Sequence, residues 1–293
     1  MPRIQLLSKI FLLPVLAAAL FSLTTCSSGI PYPGIAYPPT YTYTPGRFVW
    51  RDLITSNPEA SKRFYGTLFG WTFTTTGTGE GIYYLFRNNN ETIGGMVKYP
   101  GDTSVKYTAK WICTLSSEEV GKTVKRCTDL GGSVIKKPYR VNGRGTLAVI
   151  RDRQGAVLVI LNARDGDPFA KEAMMNTWLW TELWSNDPAG SCAFYDKMNG
   201  YHSEQTEVDG KKYWIFRDAN SMVASMIENP LDNPESLWVP YIRVSDPATV
   251  VKKAKEAGAV VLLEPNPLVR KGSVAVLMDP GGAVFCVQKW PVE

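Results

Sequence analysis

The sequence predicts an α+β protein made of two tandem domains, each built from two βαβββ units whose strands form a curved mixed sheet. Motif-bearing residues recur at an almost constant offset, and each copy runs twice through strand, helix and three strands. The chain of 293 residues, 44% hydrophobic and 20% charged, is long enough for two cores and too apolar to be disordered.

The repeat is explicit. Trp50-Arg-Asp-Leu-Ile-Thr-Ser-Asn-Pro58 matches Trp180-Thr-Glu-Leu-Trp-Ser-Asn-Asp-Pro188, followed by Phe64-Tyr65 with Phe194-Tyr195, Gly70-Trp71 with Gly200-Tyr201, and Tyr83, Phe86 and Arg87 with Tyr213, Phe216 and Arg217. The offset of 130 becomes 127 after a three-residue deletion, pairing Trp111 with Trp238 and Asp152-x-x-Gly-Ala-Val157 with Asp279-x-x-Gly-Ala-Val284. Duplication produces such a pattern.

Within the first copy, Phe48 to Thr55 reads as a strand. Asn57 then caps a helix that starts at Pro58, runs to Leu68 and ends at Gly70. Strand-like runs follow near Trp71 to Thr75, Ile82 to Arg87 and Thr92 to Tyr99. The second unit repeats the order, with a strand at Trp111 to Leu115, a helix from about Glu118 to Leu130 stopped by Gly131-Gly132, and strands near Val134, Thr146 to Arg151 and Val157 to Leu161. The Asp152 and Asp279 turns lead into the last strands. The first domain is expected over 47–164 and the second over 176–291.

Ahead of them, Arg3 and Lys9 precede an apolar stretch, Ile10 to Leu20, too short to span a bilayer comfortably, so residues 1–25 read as a signal peptide. Leu23-Thr24-Thr25-Cys26 resembles the lipobox of bacterial lipoproteins, with Thr25 departing from the usual small residue. The resemblance implies cleavage before Cys26, its lipidation, and a membrane anchor in the cell envelope, on the periplasmic side of an outer membrane if the cell has one. Residues 26–46, rich in Pro, Tyr, Gly, Ser and Thr and without charge, are expected to form an extended tether.

Removing residues 1–25 takes two positive charges from the formal +5, and no basic run remains to suggest a nucleic-acid partner. Cys113, Cys127, Cys192 and Cys286 match no metal or redox spacing and read mostly as buried thiols.

The paired βαβββ units, the Asn-Pro or Asp-Pro helix starts, Phe-Tyr on the helix and the Asp-x-x-Gly-Ala-Val turn together resemble the vicinal oxygen chelate superfamily of glyoxalases, bleomycin resistance proteins and extradiol dioxygenases. The resemblance covers Phe48 to Trp290 and implies a sheet cupping one divalent ion in the metal-dependent members. Counting to the family's ligand positions selects Trp50 and Trp180 on first strands, Ile112 and Val239 on the corresponding strands of the second units, and Val159 and Cys286 on last strands. Only Cys286 could ligate, so no metal or other cofactor is expected. The single histidine, His202, follows a helix and reads as a surface residue.

Strand alternation places Trp50 and Asp52 on one face, and Trp180, Glu182 and Trp184 on the equivalent face. An aromatic wall with one carboxylate suits a small organic ligand with a flat or cationic part. The plainer alternative is that these aromatics are core and that Asp52 and Glu182 pair with Arg87 and Arg217. The expected function is a lipid-anchored, metal-free binder of a small organic molecule. Alternatives are a metal-independent or atypical-metal lyase or isomerase acting through a carboxylate, and an interaction module of the envelope.

Overall fold

The computed structural model describes residues 30–79, 81–99, 108–219, 221–232 and 235–292, so the signal segment 1–25 and Cys26 lie outside the described residues. The first copy comprises β1 (Phe48–Thr55), α1 (Pro58–Phe69), β2 (Thr72–Thr76), β3 (Tyr83–Asn88), β4 (Glu91–Lys98), β5 (Lys110–Ser116), α2 (Val120–Asp129), β6 (Ser133–Val141), β7 (Gly145–Arg151) and β8 (Val157–Ala163). The second comprises β9 (Trp178–Ser185), α3 (Pro188–Asn199), β10 (His202–Val208), β11 (Lys211–Arg217), β12 (Met222–Glu228), β13 (Leu237–Val244), α4 (Pro247–Glu256), β14 (Val260–Leu263), β15 (Val274–Met278) and β16 (Val284–Lys289). The α1 start is fixed as the sequence implies, by Asn57 Oδ1 accepting from Ala60 N at 3.0 Å and by Pro58 at the first turn. Gly70 ends α1 at φ 70°, in the left-handed region that glycine enters without strain.

Each copy forms one eight-stranded sheet, ordered β2-β3-β4-β1-β5-β8-β7-β6 in the first and β10-β11-β12-β9-β13-β16-β15-β14 in the second. The two units of a copy join through the antiparallel β1/β5 and β9/β13 pairs. Parallel β1/β4 and β5/β8 pairs close each unit of the first copy. Five strand spacings separate β3 from β7, about 24 Å in a flat sheet. Arg144, in the turn entering β7, nevertheless hydrogen-bonds Tyr83 of β3 at 2.9 Å. Each sheet therefore curls into a cup.

The helices lie between the two sheets, and the cores they make are shared by the copies. Leu53, Phe64, Tyr65 and Phe69 of the first copy pack with Val251, Leu277, Phe285 and Val287 of the second. Val120, Val124 and Cys127 pack with Phe194, Tyr195 and Met198. The first unit of each copy thus buries its apolar face on the second unit of the other. The chain has two domains by topology but no core private to either on this side of the sheets.

The duplicated Phe-Tyr, Trp and Asp-x-x-Gly residues meet across this boundary. Trp111 Nε1 donates to Tyr65 OH at 2.9 Å, and Tyr65 OH donates to Asp279 Oδ2 at 3.0 Å. Asp279 Oδ1 accepts from the amides of Gly281 and Ala283, both at 2.9 Å. Trp238, Tyr195 and Asp152 repeat the arrangement at 2.9 and 2.8 Å. Burial raises the Asp279 carboxyl to about 6 against the lowering effect of these hydrogen bonds, and raises Asp152 for the same reason.

The described part of the segment expected as an extended tether, residues 30–46, packs against the first domain. Ile30 and Ile35 are buried in the first cup's apolar cluster and Tyr32 packs on it. Thr44 donates through its amide and hydroxyl to Asp167 Oδ2 at 2.7 and 3.0 Å. The Ile30, Tyr32 and Ile35 side chains of this uncharged segment gain more from covering an apolar face than from solvation. Cys113, Cys127, Cys192 and Cys286 are free thiols, all but Cys192 buried.

Candidate functional site

Along β1 the side chains alternate as the pleat requires. Trp50 and Ile54 join the first cup's cluster while Leu53 joins the core between the sheets. In this cup Asp52 Oδ1 accepts from Trp50 Nε1 at 3.1 Å and from the Tyr83 hydroxyl. The Arg144 guanidinium lies 5.5, 5.0 and 5.2 Å from the ring centres of Tyr32, Trp50 and Tyr83, a three-sided aromatic cage. Burial, with Asp52 nearby, pushes the Tyr83 phenol well above its ordinary value, so it stays a donor.

The cage has a backbone requirement. A Cβ on Gly95 would lie 1.8 Å from Tyr83 OH and 2.7 Å from Asp52 Oδ1. Gly95→Ala is therefore expected to displace the Tyr83–Asp52 pair and lower the melting temperature by several degrees; an unchanged melting curve would show that the pair can shift freely.

The second cup repeats the design with different residues. Glu182 is fully buried. Its Oε1 accepts from Trp184 Nε1 at 3.2 Å and from the Tyr241 hydroxyl. Its Oε2 accepts from Ser225 Oγ at 2.8 Å and forms an ion pair with Arg270. Arg270 is caged at 5.5, 5.3 and 5.2 Å from the rings of Trp180, Tyr213 and Tyr241. Burial opposes its charge, but Glu182 and the two phenols outweigh burial and hold it firmly protonated.

The expected pairing with Arg87 and Arg217 is not what forms. Arg87 donates to the Asn90 carbonyl at 2.8 Å and Arg217 to Glu204 at 2.9 Å. The cup guanidiniums come from Arg144 and Arg270, in the connections that enter β7 and β15. At the offset of 127 Arg144 aligns with Lys271 rather than Arg270, so the repeat did not reveal them.

With both cages closed, cavities of about 40 Å³ in the first cup and about 60 Å³ in the second remain. A far larger cleft, about 600 Å³, lies between the copies where β1 and β9 begin, with aromatic walls from Phe48, Phe169, Trp178 and Trp180. Of the five residues selected from the sequence, Trp180 lines this cleft, Trp50 borders it with its indole buried in the first cup, and Asp52, Glu182 and Trp184 belong to the closed cups.

Residues 47–160 match the model of the glyoxalase/bleomycin resistance protein/dioxygenase superfamily, and residues 180–288 match that of a glyoxalase-like domain. The chain carries two tandem domains of the glyoxalase superfamily. It is 29% identical over 252 residues to CFP32 of Mycobacterium tuberculosis, which bears a glyoxylase name, covering 84% of this chain and 96% of that protein. It is 27% identical over 258 residues to the anthracycline biosynthesis protein DnrV of Streptomyces peucetius, covering 84% and 94%. Among solved structures, a Mn(II)-bound glyoxalase from Novosphingobium aromaticivorans superposes with a TM-score of 0.56 at 12% identity, covering 86% of this chain and 84% of that one. An extradiol ring-cleaving dioxygenase from B. fuscum gives 0.57 at 12% identity, covering 85% and 73%, and both likenesses concern the fold alone.

The family's divalent ion would need oxygen or nitrogen donors converging in a cup. Ile112 lies opposite Asp52 on the neighbouring strand, and with Val159 it lines the first cup. In the second cup Cys286 is buried, and burial with Glu182 nearby pushes its thiol up, away from the thiolate a metal needs. Each cup offers one carboxylate, already hydrogen-bonded and facing a guanidinium whose charge opposes a cation. Among the described residues no three His, Cys, Asp or Glu side chains cluster as a metal set. The donor set does not fit the superfamily's divalent ion.

Proposed function

We propose that this glyoxalase-superfamily protein binds a small organic molecule without a divalent ion, in the cleft between its two domains, with Trp178 and Trp180 facing the ligand. The supporting observation is the contrast in space: about 600 Å³ in the cleft against about 40 and 60 Å³ in the cups. Small-molecule sites usually run to ~300–1,000 Å³ with mainly apolar walls. A relative named for anthracycline biosynthesis is in keeping with an organic ligand.

A metal-independent lyase or isomerase would need Asp52 or Glu182 as a free base, and both carboxylates are engaged by neighbouring donors. An envelope interaction module would need no open cleft. Elemental analysis of the purified chain lacking residues 1–26 is expected to show no stoichiometric divalent ion, and quenching of tryptophan fluorescence by aromatic ligands should survive chelator. A stoichiometric ion, or binding lost with chelator, would overturn the reading.

We propose also that Cys26 carries the lipid that holds the protein to the cell-envelope membrane, as the lipobox-like segment suggests. Metabolic labelling with an alkyne fatty acid should mark the protein and should fail in Cys26→Ser.

A further inference from the structure

Three ion pairs surround the cleft, and among the described residues one cation that lines it is in none of them. Arg47 pairs with Asp218 at 2.6 Å, Lys171 pairs with Glu91, and Glu172 pairs with Arg243 at 2.9 Å. Arg51 lines the same cleft, is only 8% exposed, and has no carboxylate partner among the described residues. Its contacts are a hydrogen bond from Nη2 to Thr181 Oγ1 at 2.7 Å and the Trp178 ring at 5.6 Å. Its Nε is buried with no acceptor. Burial lowers its pKa, and the buried Cys113 thiol beside it offsets this, a group that burial in turn pushes above its ordinary value.

A buried guanidinium without a counter-charge is costly, and proteins keep such groups mainly where something else supplies the anion. A second unpaired donor lies on the same wall: Trp180 Nε1 is also buried without a partner. The surrounding surface is aromatic, with Phe48, Trp178 and Trp180 available to a flat ring.

We propose that the cleft takes an aromatic carboxylate, its ring against Trp178 and Trp180 and its carboxylate on Arg51. The planar fork of arginine matches two carboxylate oxygens, and the free Nε supplies one arm of that pairing. This rests on the cleft being the binding site. It adds the charge and shape of the ligand.

Calorimetric titration of the mature chain with 2-naphthoate and its neutral analogue 2-naphthylmethanol tests it. The expected result is naphthoate binding about tenfold or more tighter than the alcohol, a preference that Arg51→Met abolishes. Thr181→Val, which frees Arg51 from its present acceptor, should tighten naphthoate alone; it keeps the test decisive if Arg51→Met does not fold. Equal binding of both probes, or a naphthoate preference unmoved by these substitutions, overturns the carboxylate assignment and leaves the cleft reading standing. If neither probe binds the unaltered chain, both readings fall.

Discussion

Tyr65→Phe is expected to destabilise the protein by about 3 kcal/mol, because one hydroxyl satisfies two buried partners. Trp111 Nε1 would lose its acceptor, and Asp279 would lose the donor to its Oδ2. The effect should depend on pH in a defined direction. The Asp279 carboxyl is raised from 3.8 to about 6 in the folded protein. The stability it contributes is therefore full below about pH 4 and is lost as pH rises through 6. The Tyr65 hydroxyl lowers that value, so its removal pushes the carboxyl further up and deepens the loss at neutral pH. Urea unfolding of Tyr65→Phe and the unaltered chain at pH 4 and pH 7 should show the larger deficit at pH 7. An equal deficit at both would mean that the hydroxyl does not act on the carboxylate.

Glu182→Gln should be comparably damaging, by about 3–5 kcal/mol, because it strands the Arg270 guanidinium, which among the described residues forms an ion pair with Glu182 alone. Arg270 is 13% exposed and Glu182 fully buried, so solvent screens the pair little. Adding Arg270→Met should recover most of the loss, since apolar replacement of a whole buried pair is often neutral. A double variant as unstable as Glu182→Gln would place the cost in the Tyr241 and Ser225 hydrogen bonds instead.

The fold was legible because its local signals agree with its global pattern: Asn57-Pro58 and Gly70 bound α1 much as capping chemistry requires, and alternation put Trp50 and Asp52 on one face. The cups were legible only in part. Periodicity places a side chain on a face, but it does not say what a curled sheet brings opposite. Arg144 comes from five strands away, and its counterpart Arg270 does not occupy the matching repeat position. Arg51 escaped for another reason: its duplicate is Thr181, so the comparison of copies that highlighted Asp52 and Glu182 passed over it. Residues 30–46 read as tether because composition reports polarity and turn chemistry, whereas the apolar surface waiting for Ile35 and Tyr32 exists only after folding.

Because each copy closes the other's core, a single copy on its own would have to associate with a twin, and fusion replaces that concentration-dependent encounter with an intramolecular one. Fusion also releases the positions nearest the local pseudo-twofold from self-complementarity. In a symmetric homodimer the residue at 51 would face its own copy, and arginine there would meet arginine. In the fused chain Arg51 meets Thr181 at 2.7 Å. Covalent linkage thus permits a single positive charge where symmetry would demand two or none, and a directional ligand can be received at what would otherwise be an indifferent axis.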